Sequence, residues 1–244
     1  MTAGNLPDSA VPTIPPPLAL TFDLDDTLWP VWPVIERAEG VLHAWLARHA
    51  PATARRYDTA ALRALRNAIA QRHPEWAHDL GWPRRESLRE ALATAGDDPG
   101  LADDAFEVFF DARQQVVLYD DVADALARLA RRFPIVAVTN GNADIARVGL
   151  GDLFQDCIAA SRLGIAKPDP RIFGAACTRL GVAAADVLHV GDDLLLDVDG
   201  ALGAGLAAVW LHRGPPLAEP PPPLARPYHV FGDLAALADA LGCP

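Results

Sequence analysis

The chain has 244 residues, enough for one large domain or two modest ones around a sizeable core. Its hydrophobic fraction of 51% argues against disorder, and its formal charge of −11 excludes nucleic acid and anionic membrane surfaces as expected partners. Three scattered cysteines without a CxxC give neither a disulfide framework nor a zinc site and suit a reducing, cytoplasmic setting.

Residues 1–17 carry Pro7, Pro12 and Pro15-Pro16-Pro17 with no Lys or Arg, and read as a flexible tail rather than a secretory signal. No run approaches the roughly 18 apolar residues of a membrane span. Leu18–Leu28 is an apolar run that ends in Asp23, Asp25 and Asp26, the pattern of a buried strand of a parallel sheet. After Pro30 and Pro33 no good strand occurs until residue 117. Val34, Ile35, Ala38, Val41, Leu42, Trp45 and Leu46 recur at helical spacing, as do Leu62, Leu65 and Ile69, then Leu88, Ala91 and Leu92, then Phe106, Phe109 and Phe110. Pro74, Pro83 and Pro99 punctuate this block, which predicts an all-helical insert of roughly four helices over 30–117.

From Asp120 the pattern alternates. A helix over 121–132 precedes a strand at Ile135–Val138, a helix near 142–149, a strand near 157–160 and a helix near 170–180. The strand Val187–Val190, a helix near 197–204, the strand Ala207–Leu211, a proline-dense loop over 214–227 and a terminal strand and helix from Tyr228 follow. This is an α/β domain, residues 18–29 and 118–244, with a Rossmann-like parallel sheet covered by helices on both faces and interrupted by the insert.

In such sheets ligands bind at the carboxyl ends of the strands. Asp23 and Asp25 end the first strand, Thr139-Asn140-Gly141 ends the second, Lys167-Pro168 lies beyond the third, and Gly191-Asp192-Asp193 with Asp197 ends the fourth. Each has a local explanation taken alone: an Asp-rich turn, a tight turn, a surface lysine, a helix N-cap. Their coincidence at four strand ends of one edge points to a site. Carboxylates so crowded repel one another without a cation, and hard oxygen ligands with no His or Cys beside them select Mg²⁺. Lys167, the Thr139 hydroxyl and N–H groups around Asn140 would hold phosphate oxygens.

The order Asp-Leu-Asp-Asp-Thr, Thr-Asn-Gly, Lys-Pro and Gly-Asp-Asp-x₃-Asp resembles the four motifs of the haloacid dehalogenase superfamily, and the insert resembles its C1 helical cap. The resemblance covers the chain except the tail. It implies that Asp23 is a nucleophile forming an aspartyl-phosphate and that Asp25 is the general acid and base. It implies that Mg²⁺ is held by Asp23, the Asp25 backbone carbonyl and Asp192. The phosphoryl group would be held by Asp23, Leu24, Asp25, Thr139, Asn140 and Lys167, with Asp197 restraining Lys167 or a metal-bound water. Asp193 is left open between a role behind the metal and a helix cap. To donate a proton at neutral pH, Asp25 would rely on the negative charge of its neighbours.

Leu20–Trp29, Trp32–Glu39, Val138–Ala143 and His189–Asp197 look like bacterial phosphatases of flavin biosynthesis, which act on 5-amino-6-(5-phospho-D-ribitylamino)uracil and on FMN. Trp29 departs from the Tyr often found there. Trp29, Trp32, Trp76 and Trp82, with Arg84 and Arg85, are candidates for contact with a flat heterocycle, against the alternative that they pack helices or form a solvated pair. The expected partner is a small-molecule phosphate ester, with monomer and homodimer both open. Hydrolysis of another small phosphometabolite and a phosphomutase remain alternatives. A phosphoacceptor signalling domain is disfavoured by the length and the helical insert, and a dehalogenase because it needs neither the second aspartate nor a metal cluster.

Overall fold

A computed structural model of the protein describes residues 16–215 and 221–244. The tail reading at residues 1–15 and the middle of the proline-dense loop, 216–220, lie outside the described residues. Strand β1 (Ala19–Phe22) is wholly buried, because every side chain of its Ala-Leu-Thr-Phe run meets protein on one face or the other. It pairs in parallel with β2 (Ile135–Thr139) and β4 (Val187–Gly191), Phe22 lying opposite Ala137 and Val190. Outside these lie β3 (Asp156–Ala159), β5 (Ala207–Leu211) and β6 (His229–Phe231), giving the order β3-β2-β1-β4-β5-β6. The chain builds outward on one side of β1 and then returns to build on the other. A crevice opens at that reversal, beyond the ends of β1, β2 and β4.

The strands' two faces are covered separately. Helices α6 (Val122–Ala130) and α10 (Leu234–Ala240) pack on one face, around Phe22, Leu126, Leu188 and Leu237. On the other lie α8 (Pro170–Leu180) and α9 (Gly200–Gly203), around Val136, Phe173, Val198 and Ala201, while the short α7 (Ala160–Leu163) follows β3. Among the described residues no helix is long and apolar enough to cross a membrane.

The insert forms five α-helices rather than four: α1 (Val31–His49), α2 (Pro51–Arg56), α3 (Thr59–Arg72), α4 (Gly81–Ala95) and α5 (Ala102–Arg113). The extra helix arises at Pro51, which cannot continue α1 but suits the first turn of a new helix. The block has its own core of Leu42, Leu46, Leu88, Leu92, Phe106 and Phe109, separate from those on the sheet. The aromatic and leucine spacings read from sequence therefore point into this core.

Two helical expectations fail in instructive ways. Residues 142–149 form turns, with Val148 N–H on the Asp144 carbonyl at 3.0 Å and Leu150 N–H on that of Ile145 at 2.8 Å. Asp144 competes for the backbone by accepting from Ala146 N–H at 3.0 Å, and Gly149 ends the segment at φ 84°. The helix expected at 197–204 instead begins as a wide π-turn over Leu194–Asp199 that leads into α9. That wider turn lets Asp197, four residues past the end of β4's Gly191-Asp192-Asp193, point back at the site.

Candidate active site

The loop after β1 is organised by its own side chains. Asp26 takes φ 58°, a left-handed conformation that a short carboxylate tolerates, and its Oδ1 accepts from Val31 N–H at 2.9 Å. Asp26 thus belongs to the turn and starts α1. Thr27 Oγ1 donates to Asp192 Oδ1 at 2.8 Å and lies 3.2 Å from Asp23 Oδ2, tying the ends of β1 and β4 together. Arg213, after β5, donates to the Thr27 carbonyl at 2.8 Å and grips Asp121 at 2.9 and 3.2 Å. Trp210 donates its indole N–H to the Asp192 carbonyl at 2.7 Å.

At the centre, Lys167 Nζ bridges Asp23 Oδ1 and Asp197 Oδ1, 2.5 Å from each, and all three residues are buried. Asp23, Asp192 and Asp197 each offer an oxygen within 4.8 Å of the others. Three carboxylates against one ammonium leave a surplus of two negative charges in a site with little water. Burial accordingly pushes the Asp23 carboxyl well up, against the pull of Lys167 and helped by Asp197 and Asp192. Burial also pushes Asp192 up to about 6, only partly offset by the Thr27 hydrogen bond. Asp197 goes the other way: burial would raise it, but Lys167 and the hydrogen bond from His189 hold it below the usual range. Burial alone would lower Lys167, yet Asp197 and Asp23 raise it above its ordinary value and keep it charged. A charge deficit of two, lined by hard oxygens, suits a divalent cation that prefers oxygen ligands.

The second strand end contributes Thr139, whose Oγ1 accepts from Gly141 N–H at 2.9 Å and so leaves its own hydrogen for a ligand. Asn140 spends its side chain on the Lys167 backbone, accepting from its N–H at 2.8 Å and donating to its carbonyl at 3.0 Å. It fixes the lysine loop, so only its backbone is left to face a phosphate. Leu24 is fully buried, so it too would contribute only its backbone. Asp193 is a helix cap, accepting from Leu195 and Leu196 N–H at 2.8 Å each.

Asp25 is placed differently from the sequence expectation. Its carboxylate meets a cation, Arg113 at the end of α5, not the negative neighbours expected to help it donate a proton. Trp29 Nε1 donates to Asp25 Oδ1 at 2.8 Å, and the ring is completely buried in the core beneath the sheet edge. Trp29 therefore has no face free to stack on a substrate, which corrects that expectation: the aromatic next to the motif supports Asp25. Trp76 and Trp82 stack on each other, centroids 5.1 Å apart, and the exposed Trp32 is covered by Arg63 at 4.5 Å. Arg85 lies over Phe106 and pairs with Asp103 and Glu107. Arg84, by contrast, is buried and faces a cavity.

Sequence reasoning missed Arg113, Thr27 and His189. His189 Nδ1 lies 2.9 Å from Thr21 Oγ1 and Nε2 lies 3.2 Å from Asp197 Oδ1. A histidine inside the apolar run of β4 was the one local signal. Arg113 gave none, since its partner stands 88 positions away.

The haloacid dehalogenase-like hydrolase family matches residues 18–205, and the chain belongs to it. Several of its relatives are phosphatases. The 5-amino-6-(5-phospho-D-ribitylamino)uracil phosphatase YigB of Escherichia coli is 37% identical over 197 residues, 79% of this chain and 82% of that one. The phosphoserine phosphatase of Thermus thermophilus is 37% identical over 194 residues, 76% of this chain and 72% of that one. Among solved structures, a 2-haloacid dehalogenase from Pseudomonas syringae superposes with a TM-score of 0.82 at 38% identity, covering 92% of this chain and 97% of its own.

Proposed function

We propose that the protein is a Mg²⁺-dependent phosphomonoester hydrolase working through an aspartyl-phosphate on Asp23, with 5-amino-6-(5-phospho-D-ribitylamino)uracil and FMN as its substrates and the helical block as its cap. The observation that carries this reading is the set of three converging carboxylates, Asp23, Asp192 and Asp197, with Lys167 the one ammonium paired to them among the described residues. The Asp23 carboxylate, the Asp25 backbone carbonyl and Asp192 would hold Mg²⁺. When bound, the ion neutralises charge and polarises a phosphoryl oxygen. The substrate identity is supported by the likeness to the Escherichia coli enzyme.

An Asp23 oxygen attacks phosphorus and the bond to the leaving oxygen breaks, while Asp25 gives that oxygen a proton. Asp25, now ionised, takes a proton from the water that attacks the phosphorus, releasing phosphate and regenerating Asp23. Lys167 opposes the burial that disfavours the ionised Asp23 and holds it in position, and the Thr139 hydroxyl donates to the transferring group. Asp25 must loosen its bonds to Arg113 or Trp29 to exchange a proton with the substrate. The presence of Asp25 and Asp192 favours this chemistry over dehalogenation.

The test is hydrolysis of a chromogenic phosphate ester with Mg²⁺ and with EDTA, beside Asp23→Asn. Turnover that ignores EDTA, or full activity in the variant, overturns the mechanism. Among physiological esters, a sugar phosphate preferred tenfold over both named substrates overturns their assignment.

A further inference from the structure

A cavity of about 200 Å³ lies between the helical block and the loop after β2. Its walls include Ile35 of α1, Arg66 and Asn67 of α3, Arg84 of α4, Phe109 of α5 and Asn142 of the β2 loop. Asn142 Oδ1 accepts from Arg113 Nε at 2.9 Å, and Arg113 holds Asp25, so one side chain separates the cavity wall from the expected proton donor.

The wall carries two guanidinium groups and no carboxylate. Behind it, Glu39 is buried and its Oε2 is taken by Arg63, at 3.0 Å from Nε and 2.5 Å from Nη2. Its Oε1 is shared loosely, 3.5 Å from Arg84 Nη2 and 3.8 Å from Arg66 Nη1. Arg84 is only 6% exposed, stacks on the Phe109 ring at 3.5 Å, and makes no protein hydrogen bond besides that long one among the described residues. A guanidinium has five N–H donors, so most of those of Arg84 are left for whatever fills the cavity. Burial and the nearby Arg66 lower Arg84 to about 9, the strain of a cation short of acceptors. Pockets for drug-sized ligands run about 300–1,000 Å³, so this one suits a compact group such as a single ring, and of FMN it would take only the pyrimidinedione end.

We propose that this cavity takes the distal end of the substrate's leaving group, and that Arg84, seconded by Arg66, selects esters whose distal end presents carbonyl or carboxylate oxygens. The proposal rests on the hydrolase reading above and names its substrate class. Guanidinium forks match paired oxygens, whether of a carboxylate or of a pyrimidinedione ring. A site built to hydrogen-bond a group discriminates strongly against an analogue lacking it.

Calorimetry on Asp23→Asn, which removes turnover from the measurement, would compare 5-amino-6-(5-phospho-D-ribitylamino)uracil, phosphoserine and ribitol 5-phosphate with Mg²⁺ present. At least one of the first two is expected to bind tenfold or more tightly than ribitol 5-phosphate. Which one wins separates ring carbonyls from carboxylate as the source. Adding Arg84→Met should bring the preferred ester within about threefold of ribitol 5-phosphate. Should that variant not fold, Arg66→Met, on a more exposed side chain, must narrow the gap by threefold or more. Equal binding of all three esters, or a preference that outlives both substitutions, overturns the proposal. Absence of turnover of every ester by the wild-type protein would instead overturn the hydrolase reading, and with it the assignment of the cavity to a leaving group, whatever binds there.

Discussion

Arg113 Nη2 lies 2.7 Å from Oδ1 and 2.6 Å from Oδ2 of Asp25, so one nitrogen from the last turn of α5 holds both oxygens of the second aspartate of the first motif. Arg113 is almost fully buried and its Nη1 has no partner among the described residues, which makes the pair sensitive to any change at either end. Arg113→Met is expected to cost about 1–3 kcal/mol, less than the ~3–5 kcal/mol of a fully buried pair because Asp25 keeps contact with water. Urea unfolding measures that cost. Steady-state kinetics should show kcat falling at least tenfold, with Arg113→Lys recovering only part because an ammonium cannot reproduce the planar contacts to both Asp25 and Asn142.

Gly141→Ala tests the same carboxylate from the other side. A Cβ there would stand well inside van der Waals contact of Asp25 Oδ2 and 3.2 Å from Thr139 Oγ1. Displacing Asp25 by about an ångström is expected to lower kcat on the order of 100-fold. Because the displaced oxygen is bonded to Arg113, the melting temperature should fall as well, by less than in Arg113→Met. An unchanged kcat would show that Asp25 works from another position.

His189 gives a pH dependence with a defined sign. Asp197 is anionic, so His189 Nε2 carries the hydrogen toward it and Nδ1 accepts from the Thr21 hydroxyl. Burial lowers the His189 pKa below 6.5, against the pull of Asp197 and with the help of Lys167. With the folded value below the unfolded one, the neutral ring stabilises the fold fully above pH 6.5, and that contribution is lost as pH falls toward the folded value. The wild type should lose up to about 1.4 kcal/mol per pH unit in that range. His189→Gln should flatten the slope, and comparing the two proteins cancels the other titrating groups.

Metal dependence can be read without activity. Mg²⁺ at about 100 times its dissociation constant is expected to stabilise the wild type by about 2.7 kcal/mol, seen as a raised melting temperature that EDTA reverses. Asp192→Asn should lose most of that response. In EDTA at pH 7.5 the same variant should match or exceed the wild type by about 1 kcal/mol, since burial disfavours the ionised Asp192 and its partial exposure to water keeps the effect small. A wild-type melting temperature indifferent to Mg²⁺ would count against the metal.

The strand ends were legible because each rests on local pattern: an apolar run stopping at Asp23 and Asp25, or at Thr139, or at Gly191. Alternation predicted a parallel sheet but not the order of its strands. What escaped the sequence depended on contacts across many residues. Arg113 carried no signal in the sequence, and only the folding of α5 against the β2 loop brings it to Asp25. Trp29 looked like a stacking surface because it adjoins the motif, yet burial turns its ring into core and its N–H into a support. The turns at 142–149 were missed because Asp144 and Gly149 outweigh a weak periodicity.

The two motif aspartates, two residues apart, answer to different parts of the molecule. Asp23 is anchored at the end of the central strand, among the most enclosed atoms of the protein. Asp25 takes its bearing from the last residue of α5, in the insert. On the proposed chemistry, a substitution in the helices of the insert would retune the proton transfer at Asp25 and leave the oxygen of Asp23 where the sheet holds it.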